Sequence, residues 1–146
     1  MISHFWNGLT DRHYNAFISF NGRNFDCPFL MLRSAALGIR PSVNLMDGTR
    51  WNYTVGIKNY EIDHIDLADK LVYNNGFQKD GATRKFNLDF YTKAFGVKSP
   101  KAGGITGYEV PQYYLEGRVR EIAEYCMRDV RATGDLYQKW EALLKF

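Results

Sequence analysis

Two short segments of this chain hold the residue types from which hydrolytic metal chemistry is built. In Phe17-Ile-Ser-Phe-Asn-Gly-Arg-Asn-Phe-Asp-Cys-Pro-Phe-Leu30 an apolar strand pattern ends in a polar turn that delivers Asp26 to the start of a helix. Roughly a hundred residues later, Glu124-Tyr125-Cys126-Met127-Arg128-Asp129 sets a tyrosine and an aspartate four apart, so that on a helix both side chains share one face. Hard Mg²⁺ or Mn²⁺ requires oxygen ligands, hence clustered carboxylates. Two such ions about 4 Å apart stabilise the attacking and leaving oxygens of a phosphodiester and generate hydroxide at neutral pH. A phenol with a free pKa near 10 stays neutral beside them and both donates and accepts hydrogen bonds.

Each residue also has a structural reading. Asp26, two before Pro28, suits a helix N-cap. Tyr125 and Asp129 could form a solvated pair on a surface helix. His64 and Asp66 are ligand types, but His-x-Asp-Leu at a strand end reads more readily as packing plus a helix cap. The 23 aromatics, ten of them Tyr and ten Phe, could stack single-stranded bases, with core filling the default.

The elements that position these groups follow from patterning. Residues 16–20 are a short apolar run suited to a buried parallel strand, and Asp26 with Pro28 opens a helix that Gly38 closes. His4, Phe5, Trp6 and Leu9 have helical spacing ahead of that strand. Trp51, Tyr53, Val55 and Ile57 alternate as extended structure, and Ile62 to Leu67 reads as a strand before a helix around Leu67 to Tyr73. After a polar turn at 74–81, Asn87 caps a helix over Leu88 to Phe95 that Gly96 stops. Lys98-Ser-Pro-Lys-Ala-Gly-Gly-Ile-Thr-Gly107 is either a basic loop that follows a phosphate backbone or a solvated connection. The last helix shows Ile122, Cys126, Val130, Thr133, Tyr137, Trp140 and Leu144 as an apolar stripe, which Tyr125 and Asp129 flank.

With 146 residues at 45% hydrophobic content and no repeat or low-complexity tract, the chain reads as one folding unit. A net charge of +3 permits nucleic-acid binding without arguing for it. No run of eighteen apolar residues suggests a membrane span, and two cysteines, Cys27 and Cys126, suit no common zinc spacing. The expectation is a reduced, cytoplasmic protein.

Asn21-Gly-Arg-Asn-Phe25-Asp26 resembles the second motif of the DEDD 3'-5' exonucleases, and Tyr125 with Asp129 the third motif of their DEDDy branch. His64-Ile-Asp-Leu67 and Gly117 to Val130 extend the likeness to the predicted exonucleases related to the proofreading domain of family B DNA polymerases, over about residues 14 to 140. The resemblance implies an α/β, ribonuclease H-like fold with a mainly parallel central sheet flanked by helices. It implies Mg²⁺ or Mn²⁺ held with Asp26 and Asp129, water oriented by Tyr125, and a substrate channel lined by Asn21 and Phe25. The substrate would be single-stranded DNA or 3' DNA ends, with RNA not excluded.

One departure stands out: none of the ten aspartates is followed two positions later by Glu, so the family's first motif, Asp-x-Glu, is absent. The resemblance therefore implies a single partial domain over residues 1–146 that lacks its first strands and binds both ions weakly. It also leaves the edge of the strand at 16–20 bare, where self-association or a covering partner is expected. Two other readings remain open, a catalytically silent module that binds nucleic acid or protein and a fragment of a longer exonuclease.

Overall fold

The computed structural model describes the chain apart from residues 13, 15, 48–53, 58–59, 73–85 and 102–103. The element order is α1 (Ile2–Asp11), β1 (Ala16–Ser19), α2 (Asp26–Ala36), β2 (Thr54–Ile57), β3 (Tyr60–Asp66), α3 (Leu67–Leu71), α4 (Leu88–Ala94), α5 (Val110–Leu115) and α6 (Val119–Leu143). These elements pack as two compact units, Met1–Asn75 and Gly76–Phe146.

In the first unit the strands lie in the order β1-β3-β2. β1 runs parallel to β3, with Phe17 opposite His64 and Ser19 opposite Asp66, so the ends of both strands meet where the polar turn begins. β2 is antiparallel to β3. The α/β class holds, but the described sheet is mixed rather than mainly parallel, because two residues between β2 and β3 are too few for the crossover that a parallel pair needs. β1 stands at the sheet edge among the described residues.

The expected helix starts and stops appear where the sequence signals them. α2 ends in a left-handed Gly38 (φ 67°), with Gly38 N–H donating to Ala35 O at 3.0 Å and Ile39 N–H to Ser34 O at 2.9 Å. α4 begins with Asn87 Oδ1 accepting from Phe90 N–H at 2.9 Å and ends at Gly96 with the same closing pattern. Trp51, Tyr53, Tyr73 and the turn at 74–81 lie outside the described residues.

The core of the first unit gathers Trp6, Leu9, Cys27, Val43 and Leu45. Burying Trp6 requires a partner for its indole N–H, which donates to Ser34 Oγ at 2.8 Å. His4 and Phe5, from the same helical pattern, stay exposed.

In the second unit α4 and α5 pack on α6. Here the sequence stripe is corrected. The buried residues of α6 are Ala132, Leu136 and Trp140, whereas Cys126 and Val130 are exposed. At 100° per residue, positions 125, 129, 132, 136 and 140 fall within roughly an 80° arc. Tyr125 and Asp129 therefore continue the buried line rather than flank it.

Candidate active site

Asp26 and Asn21 lie in the first unit, Tyr125 and Asp129 in the second.

In the first half the turn after β1 is held by a buried carboxylate. Asp66, fully buried at the end of β3, accepts from Asn21 N–H at 2.7 Å and Arg23 N–H at 2.9 Å, and caps α3 by accepting from Ala68 N–H at 3.1 Å. Both oxygens are thereby committed to the backbone, which makes Asp66 a structural residue. Asn21 adopts φ 63°, a left-handed conformation that Asn tolerates, and its side-chain oxygen accepts from Asn24 Nδ2 at 2.9 Å. The Arg23 guanidinium reaches across to the carbonyls of Met46 and Asp47, both at 3.0 Å.

Gly22 is dictated by space. A Cβ there would lie 2.5 Å from Ser19 Cβ and 2.7 Å from Ser19 Oγ, and 3.6 Å from Asp26 Oδ2. The tight turn brings the carboxylate of Asp26 against the strand end. Asp26 is the first residue of α2 and not its cap, since Phe25 occupies the cap position without a side-chain hydrogen bond. Partial burial pushes the Asp26 carboxyl up, its own backbone N–H opposes this, and the Asp66 charge adds to it. Below it, burial and the charge of Asp26 push the Cys27 thiol up to about 11, which keeps it an inert core thiol.

His64 packs its ring edge-on to Phe17 at 6.4 Å and its Nε2 lies 3.0 Å from Ser19 Oγ. Burial lowers its pKa, more than the nearby Asp66 restores it, so the neutral ring is favoured. Packing and capping account for both His64 and Asp66. Phe25 is largely exposed and stacks on Phe29, one turn along α2, at 6.3 Å with planes 8° apart.

In the second half Tyr125 and Asp129 interact side chain to side chain on α6. Burial pushes the Tyr125 phenol up, and the Asp129 charge reinforces the shift. Burial likewise pushes the Asp129 carboxyl up, while the Arg128 charge, the Tyr125 hydrogen bond and the Lys101 charge pull it back. Both side chains are half-buried.

The loop of 98–107 supplies the surroundings. A Cβ at Gly104 (φ 89°) would lie 2.5 Å from Arg128 Nη2, and one at Gly107 would lie 3.6 Å from the Tyr125 hydroxyl. The loop is anchored by buried Ile105, by Ser99 Oγ donating to Asp89, and by Thr106 N–H and Oγ1 donating to Glu109 Oε2, both at 2.8 Å. Residues 102–103 of this basic loop lie outside the described residues.

Each unit contributes an oxygen donor of the kind that suits a hard divalent cation, the carboxylate of Asp26 in the first and that of Asp129 in the second. Among the described residues no three His, Cys, Asp or Glu side chains gather into a ligand group.

Sequence reasoning missed three contributors. Gly22 left only the turn propensity of Asn-Gly as a sign, Arg128 stood one residue before an assigned aspartate, and the bonds from Asp66 to residues 21 and 23 join positions more than forty apart.

A strand-turn-helix unit that presents Asp26, together with a closing helix that carries Tyr125 and Asp129 on its buried line, defines the class as an α/β fold of ribonuclease H-like exonuclease type. Residues 1–144 match the family described as predicted 3'-5' exonuclease related to the exonuclease domain of PolB, and the chain belongs to that family. No curated protein matches it. No described helix is long and apolar enough to cross a membrane.

Proposed function

We propose that this chain hydrolyses phosphodiester bonds at the 3' end of single-stranded DNA, that the reaction depends on Mg²⁺ or Mn²⁺, and that both units serve one domain. The observation that supports this most is the Tyr125–Asp129 pair on the buried line of α6, beside the backbone of Gly107. A pair kept for solubility would face water.

Asp129 and Asp26 are the residues that would hold the cations. When bound, these ions supply a hydroxide at neutral pH and neutralise charge on the attacking and leaving oxygens. Tyr125, its phenol kept protonated by the upward shift, donates to or accepts from the attacking water and orients it. Asn21 lines the path of the terminal nucleotide, and the exposed ring of Phe25 offers a face on which its base stacks. The edge of β1 is the place for self-association or for a covering partner, in the cytoplasm.

A second reading has a specific observation on its side, since the chain contains no Asp-x-Glu. It is a module that grips nucleic acid without cutting it. The deciding experiment follows release of nucleotides from a 3'-labelled single-stranded oligonucleotide with Mn²⁺, for the wild type and for Asp129→Ala. Release that vanishes in the variant supports the exonuclease. Binding without release by the wild type transfers the assignment to the silent module.

A further inference from the structure

Beyond the Tyr125–Asp129 pair, α6 has a second polar face. A groove of about 520 Å³ lies along it, lined by Lys98, Arg120, Glu124, Met127, Arg128 and Arg131. Four cations against one carboxylate give this groove the same +3 as the formal charge of the entire chain. The groove is thus locally cationic.

We propose that this groove, on the side of α6 turned away from Asp129, is a track for the phosphodiester backbone of a single nucleic-acid strand. The proposal rests on the exonuclease reading for the nature of its ligand, but the binding it describes does not require cleavage. Arg120, Glu124, Met127 with Arg128, and Arg131 recur at helical spacing, so they form one ridge. From Arg120 to Arg131 that ridge rises about 16 Å, long enough to meet several successive phosphates of one strand. Among the described residues Glu124 answers only Arg120, at 3.1 Å across a solvent-exposed pair, which is a weak tie. Lys98 and Arg131 are exposed and pair with no carboxylate among the described residues.

Arg128 joins the groove to the candidate active site. Its Nε is buried without a hydrogen-bond partner among the described residues, its guanidinium carbon lies 5.7 Å from the centre of the Tyr125 ring, and the Gly104 backbone packs on its Nη2. A planar fork pinned in this way presents a fixed pair of donors, the geometry that suits a phosphate better than a single carboxylate side chain. The apolar Met127 between the cations suits the sugar and base edges of a strand.

The test is fluorescence anisotropy of a labelled single-stranded DNA 20-mer in EDTA, titrated at several salt concentrations. The wild type is compared with Arg120→Ala/Arg131→Ala and with Arg120→Lys/Arg131→Lys. Four phosphate contacts give a slope of log K against log salt of about −2.8, and losing two of them brings it to about −1.4. The lysine variant should stay close to the wild type. Both altered positions are exposed, and unchanged circular dichroism verifies folding. Equal affinity and slope for the wild type and the double alanine variant overturn the proposal. So does displacement of the DNA by polyglutamate at equal charge concentration, which would assign the groove to an acidic protein. Because EDTA suppresses cutting, a chain that binds in this way but never releases nucleotides sinks the exonuclease reading alone. A chain that cuts equally well without the two arginines sinks the groove alone.

Discussion

Replacing Asp66 by Ala removes one carboxylate and leaves three backbone N–H groups, those of Asn21, Arg23 and Ala68, without their acceptor. An unsatisfied buried donor costs about 1–3 kcal/mol, and a lost helix cap about 1 kcal/mol. Water entering the vacated space recovers part of this, so the loss is set at about 3–5 kcal/mol. At roughly 3–5 °C per kcal/mol for a chain of this size, the melting temperature falls by about 10–20 °C. Asp66→Asn keeps one acceptor oxygen and should lose about half as much. Asp26→Ala is the control, because Asp26 is exposed and is not the cap of α2, so its removal shifts stability by less than about 1 kcal/mol. Differential scanning fluorimetry reads all three, and nucleotide release should fall with Asp66→Ala even at a temperature where the variant is folded, because the turn that positions Asp26 has lost its anchor. A melting temperature for Asp66→Ala within about 2 °C of the wild type would refute the claim that this carboxylate organises the turn.

The sign of the Asp129 shift gives a second expectation. A carboxyl whose folded pKa lies above the unfolded one contributes stability below the unfolded pKa and loses it as pH rises through the folded value, so ionised Asp129 is a burden at neutral pH. Asp129→Asn should therefore melt above the wild type at pH 7 and lose that advantage below pH ~4, while Mn²⁺ should raise the melting temperature of the wild type only. The contrary result is an Asn variant that melts lower at every pH. Gly22→Ala should cost about 1–3 kcal/mol, because a Cβ 2.5 Å from that of Ser19 forces the turn open. Chemical denaturation measures the cost, and a midpoint equal to that of the wild type would show that the strand end yields freely.

What the sequence made legible was local. Asn87, Gly38 and Gly96 act within one or two turns of themselves, so the boundaries of α2 and α4 follow from side-chain and backbone chemistry that neighbours in sequence complete. The motif residues were legible for a related reason, since Asp26 follows its own strand and turn, and Tyr125 and Asp129 share one helix. Two things depended on distant partners. The inward line of α6 is chosen by what α4 and α5 leave room for, and they take small Ala132 and Leu136 while Val130 and Cys126, more conspicuous in the sequence, face out. The bonds that fix the turn come from Asp66, on a strand whose pairing with β1 no local pattern specifies.

The shared line of Tyr125, Asp129, Ala132, Leu136 and Trp140 makes α6 resemble a camshaft. The apolar residues toward its C-terminal end set the rotational phase, and the carboxylate one turn upstream and the phenol two turns upstream inherit it. One residue inserted between Asp129 and Ala132 would swing both polar groups about 100° around the axis while every core contact stayed satisfied. Four residues inserted there would bring them back to within about 40°, displaced along the axis by one turn. The timing of this site is thus kept by packing that never touches a substrate.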